Sequence, residues 1–157
     1  YHPQYQRGDQ NAKTEEVAVE VPMEPFKVLD HDADILLEVC GASREELFEN
    51  AAGAMLSLIT DPGKVRSALE KRITVPGNGE LLINFLNELL FVWDVERFIP
   101  AEVAVTFEGE GLTALLKGEA FDEGRHSIEA ELKAVTYHKF AITEEKGKFK
   151  ATIIIDV

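Results

Sequence analysis

The run Ile35-Leu36-Leu37-Glu38-Val39-Cys40-Gly41-Ala42-Ser43-Arg44-Glu45-Glu46-Leu47-Phe48 decides the fold class, because its hydrophobic period changes partway through. Ile35, Leu37 and Val39 fall on one face of an extended segment, and Leu36, Glu38 and Cys40 on the other. Gly41 ends that strand. Ser43-Arg44-Glu45-Glu46 then forms a capping box, in which the Ser43 hydroxyl accepts from the Glu46 amide and the Glu46 carboxylate reaches back. Leu47, Ala51, Met55 and Leu58 recur at helical spacing, and Phe48, Ala52 and Ile59 widen the stripe. Asp61-Pro62-Gly63 stops the helix.

Outward from this unit, Phe26 to Leu29 reads as a short strand, separated from Ile35 by the polar His31-Asp32-Ala33-Asp34. Residues 1–24 read as a tail or extension outside the patterned domain of residues 25–157. Within the tail, Val17, Val19 and Val21 alternate as an edge strand would. Toward the C-terminus, Arg72 to Val75 is a short strand, and Pro76-Gly77-Asn78-Gly79 leads into a second helix over about 80–96. Its buried stripe is Leu82, Phe85, Leu86, Leu89, Leu90 and Trp93, and Trp93, near the helix end, is either core like the rest or exposed in part. The rest is β-rich: Ala101 to Phe107, Leu112 to Ala120, Ile128 to Val135, Tyr137 to Thr143 and Phe149 to Val157. The expectation is an α+β domain, two amphipathic helices packed on a mixed, mostly antiparallel β-sheet.

The 157 residues suffice for one domain with a core. No apolar run approaches the roughly 20 residues that span a bilayer, and no secretory signal opens the chain. Cys40 stands alone, which excludes an internal disulfide and a multi-cysteine zinc site and favours a cytoplasmic location. Cys40 reads as a buried small hydrophobe. The net charge of −13 opposes direct, tight nucleic-acid binding, which rests on basic patches. It suits a basic protein partner or a cation, or solubility alone.

Three polar clusters interrupt the apolar scaffold. Asp32 and Asp34 are either turn residues bonding local amides or oxygen ligands, and carboxylates favour calcium, magnesium or manganese over zinc. Asp156 ends the apolar strand Ile153-Ile154-Ile155; it is a frayed, solvated terminus or a carboxylate needing a partner. Lys133 reads as sharing a strand face with Glu131, as a surface ion pair or as a cation near carboxylates or a partner's phosphate. Tyr137 and His138 follow it as possible hydrogen-bonding groups or ligands. No phosphate-binding Gly loop or serine nucleophile elbow is present, which argues weakly against a self-sufficient enzyme.

With His31-Asp32-Ala33-Asp34-Ile35, Leu86-Asn87-Glu88-Leu89-Leu90-Phe91, Glu131-Leu132-Lys133-Ala134-Val135-Thr136-Tyr137-His138 and Asp156-Val157, the chain resembles the archease family from Phe26 to Val157. The resemblance implies an α+β protein that is not itself a catalyst. Archeases activate the GTP- and manganese-dependent tRNA-splicing RNA ligase of the 3′-phosphate type, promoting its guanylation and multiple turnover. The resemblance further implies a divalent cation held by Asp34 and Asp156, joined by the Val157 terminal carboxylate or carbonyl if that is the native end. Lys133 matches a lysine tied to activation, and His31, His138 and Glu88 fall in the same motifs. Asp32 stands where the family usually has threonine. The alternatives are a stand-alone metal-dependent hydrolase of a small phosphorylated substrate and a chaperone-like binding module.

Overall fold

A computed structural model describes residues 25–30 and 34–157. The possible strand at Val17 to Val21, together with His31 and Asp32, lies outside the described residues. The elements run β1 Phe26–Asp30, β2 Asp34–Gly41, α1 Arg44–Ile59, β3 Leu69–Val75, α2 Leu81–Phe91, β4 Phe98–Glu108, β5 Gly111–Ala120, β6 Ala134–Glu145 and β7 Lys148–Asp156. The α+β class follows. The strands form two sheets, of order β1-β2-β7-β6 and β3-β5-β4, and every pairing between them is antiparallel. No mixed sheet is therefore present among the described residues.

Half of the capping box forms as expected: the Glu46 N–H donates to Ser43 Oγ at 3.1 Å, while the Glu46 carboxylate accepts from the N–H of Ala42, one residue before the cap, at 2.5 Å. Each helix bridges the two sheets, α1 through β2 and β4, and α2 through β6 and β3. Their stripes meet at Phe48, which stacks on Phe85 at 6.0 Å and takes Phe107 of β4 edge-on at 5.0 Å. Leu37, Val39, Ala151, Ile153 and Ile155 are fully buried, so alternate residues of β2 and β7 face this core. The β6–β7 hairpin turns on Lys146-Gly147, both at positive φ as a two-residue type I′ loop requires.

Three expectations differ from the structure, and Trp93 takes the buried one of its two alternatives. Residues Ile128 to Lys133 are not a strand; Glu129 is tied by its N–H to the Ile59 carbonyl at 2.7 Å, and the ladder starts at Ala134. Lys133 and Glu131 therefore share no strand face. Tyr137 to Thr143 belongs to the same strand as Val135, across an irregularity between Thr136 and Ala141 where Lys139 takes φ 56°. Cys40 is exposed, because it lies opposite Lys150 on the face of β2 turned away from the core. Trp93 is buried: a π-turn over Val92–Glu96 extends α2 and places its ring edge-on to Phe121 at 5.4 Å, with the Arg97 guanidinium 4.5 Å above it.

Candidate functional site

Asp34 opens β2 and Asp156 closes β7, and the antiparallel register sets them directly opposite each other. Directly opposed residues point to one face, with Cβ atoms about 4.5–5.5 Å apart. Their neighbours Ile35 and Ile155 face the core, so the pleat turns both carboxylates to the other face, and both are half-buried. Asp156 is no frayed terminus, since Ala134 of β6 is its partner on the other side. Among the described residues, no Lys, Arg or His forms an ion pair with either carboxylate.

Lys133 belongs to this end of the sheet through its backbone. Its N–H donates to the Asp156 carbonyl at 2.8 Å, just before β6 begins. Its side chain is exposed and has no ion-pair partner among the described residues. Val157 follows Asp156 and is 39% exposed. The structure thus brings together Asp34, Asp156, Lys133 and Val157.

The remaining candidates stand apart. His138 is exposed in the β6 irregularity, where its N–H donates to Thr136 Oγ1 at 3.3 Å. Glu88 is half-buried on α2, in a cleft of about 390 Å³ that it lines with Asn84, Asn87 and Phe91. Asn87 links the two regions. Its side-chain amide donates to the Val135 carbonyl at 3.0 Å and accepts from the Val135 N–H at 2.9 Å. It thereby satisfies both outward backbone groups of an edge-strand residue next to Ala134. The Tyr137 hydroxyl donates to Asn84 Oδ1 at 3.1 Å, and Asn84 Nδ2 donates to the Asn78 carbonyl at 2.7 Å. The sequence shows Asn87 inside the motif of the second helix, but not that it clamps a strand distant in the chain.

A second polar network went unread in the sequence. Glu119, at the end of β5, accepts from Arg125, from the Arg66 N–H at 2.9 Å and from His126 Nε2 at 2.9 Å. The Asp122 N–H donates to His126 Nδ1 at 2.9 Å, so the imidazole carries its proton on Nε2. The Arg125 hydrogen bond, then the Arg66 amide, hold the Glu119 carboxyl at about 2, against the raising effect of burial. This network fastens the loop after β5. Its signal is the turn Asp122-Glu123-Gly124 between an acid and an Arg-His pair.

Two opposed carboxylates supply hard oxygen donors suited to calcium, magnesium or manganese, and a cation between them would remove their repulsion. Calcium takes about six to eight oxygens, so this pair would supply only part of a shell. Among the described residues no third His, Cys, Asp or Glu completes a cluster with them.

Residues 26–157 match the family model described as the Archease protein family (MTH1598/TM1083). The chain is 37% identical over 141 residues to the protein archease of Methanothermobacter thermautotrophicus, covering 86% of this chain and 100% of that one. It is 36% identical over 139 residues to the protein archease of Methanosarcina barkeri, covering 84% and 95%. The solution structure of Methanobacterium thermoautotrophicum protein 1598 superposes with a TM-score of 0.68 at 36% identity, over 85% of this chain and 99% of that one. A Thermotoga maritima crystal structure described as an archease, possible chaperone, shares the fold with a TM-score of 0.61 at 23% identity, over 82% and 94%.

Proposed function

The chain belongs to the archease family, and from that premise we propose that it activates a GTP- and manganese-dependent tRNA-splicing RNA ligase of the 3′-phosphate type. It does so as a protein cofactor, promoting ligase guanylation and multiple turnover rather than catalysing a reaction itself. One observation carries this reading: the register pairs Asp34 with Asp156, joining the two motifs from opposite ends of the chain.

In this reading Asp34 and Asp156, with Val157 adjoining, would hold a divalent cation, which would cancel the charge of the two carboxylates and relieve their repulsion. Lys133, anchored by its N–H to the Asp156 carbonyl, directs an ammonium free of partners among the described residues toward a phosphate or carboxylate of the ligase. Asn87 holds Val135 and so fixes the strand from which this end is built. Activation requires that the charged end bind the guanylation-competent ligase state more tightly than the other state.

A guanylation assay with labelled GTP and the cognate ligase tests this. Wild-type protein should raise label transfer to the ligase, and a folded Asp156→Asn variant should not. Equal label transfer with and without the wild-type protein contradicts the proposal. A chaperone-like binding module is the second reading, favoured by exposed Phe91 and Val95 on one side of α2 and its extension. Activation that survives loss of both Asp34 and Asp156 would select it.

A further inference from the structure

We propose that the cleft beside α2 is a recognition pocket for an arginine side chain of a partner protein. Asn84, Glu88 and Phe91 follow one another at helical i, i+4, i+7 spacing and form one outward stripe of α2, and Val95 follows in the π-turn. The stripe faces away from the buried Leu82, Phe85, Leu86 and Leu89. Phe91 is 52% and Val95 62% exposed, so an apolar surface continues beyond the cleft.

Within the cleft the chemistry is unbalanced. Pro76, Asn78, Asn84, Asn87 and Phe91 contribute apolar and amide surface, and Glu88 is the one charged residue of the lining. The amides are already committed: Asn84 to Tyr137 and the Asn78 carbonyl, Asn87 to Val135. Glu88 is half-buried, and no cation or donor meets its carboxylate among the described residues. A carboxylate that lines one cleft with an exposed aromatic ring selects a cation that can also stack. The guanidinium does both, forming paired N–H···O bonds to the carboxylate and lying on the ring face.

Size and charge fix the class of occupant. About 390 Å³ stands at the small end of the ~300–1,000 Å³ of ligand pockets, suited to one long side chain. The net charge of −13 and Glu88 itself repel a nucleic-acid backbone and attract a basic protein surface. The clamp of Asn87 on Val135 connects this pocket to the strand that starts beside Asp156. An arginine seated here would therefore orient a partner over the carboxylate end. The pocket itself does not depend on whether that end holds a cation.

The test is a nuclear magnetic resonance titration of the full chain with N-acetyl-arginine amide, and separately with N-acetyl-lysine amide, at constant salt. It needs no ligase, so its outcome is separate from that of the guanylation assay. Arginine amide should shift the Asn84 and Asn87 side-chain amides and the Phe91 ring in a saturable manner, with lysine amide clearly weaker. Glu88→Gln should lose the saturable shift while its Val135 amide signal stays in place, showing the clamp and fold intact. Phe91→Ala should weaken binding roughly two- to five-fold. Equal responses to the two amides, an unchanged response in Glu88→Gln, or no saturable response in the wild type would overturn the assignment.

Discussion

Like charges placed directly opposite across antiparallel strands weaken a sheet, by up to about 1 kcal/mol. Asp34 and Asp156 occupy such positions. In the presence of a chelator, Asp34→Asn should therefore melt about 1–2 °C higher than the wild type. Calcium or manganese should raise the melting temperature of the wild type and leave that of the variant unchanged. Thermal melts of both proteins with chelator and with each cation check this. Glu119 behaves oppositely, since its carboxyl is held at about 2 when folded, below its ordinary value of 4.5. A depressed carboxyl contributes stability above the unfolded value, and that contribution is lost as pH falls from about 4.5 through about 2. Urea unfolding across that window should show a shallower loss for Glu119→Gln than for the wild type.

At the scale of elements, Asn87 joins α2 to the edge of β6 by two hydrogen bonds on a single residue. Asn87→Ala leaves both backbone groups of the buried Val135 without that partner and should cost about 1–3 kcal/mol. Hydrogen exchange should then quicken first at Val135, with α1 amides unaffected. The elements themselves were largely legible. A change of period at Gly41 and a capping box at Ser43 specify a strand-to-helix junction locally, and α1 begins at Arg44 as they require. Ile128 to Leu132 misled because alternation reports which side chains turn inward and says nothing about a ladder partner. There Leu132 is buried and Ile128 is 46% exposed, without strand pairing. Cys40 misled for a related reason: exposure depends on what covers a face, which neighbouring residues do not encode.

Across the whole molecule, the topology brings the distant segments of the candidate site to one end of a sheet. The order β1-β2-β7-β6 seats Asp156 between Asp34 and Ala134, with Lys133 bonded to its carbonyl. The candidate residues of this end stand in the motifs, and only the family resemblance implied that Asp34 and Asp156 meet; spacing alone does not, since strand order is set by the packing of all the elements together. The division into two sheets bridged by α1 and α2 was likewise invisible, because each amphipathic stripe shows only that something covers it. In the proposed function, the carboxylates and Lys133 at one end would form a small contact, and the remaining charge would steer a basic partner. The most direct measurement is multiple-turnover ligation of cyclic-phosphate RNA by a competent cognate ligase with GTP and manganese, alone, with this protein, and with its folded Asp34→Ala variant. Sustained turnover with the wild type and single-turnover behaviour with the variant are expected of a ligase activator. Ligation that is the same with and without the wild-type protein would contradict that role.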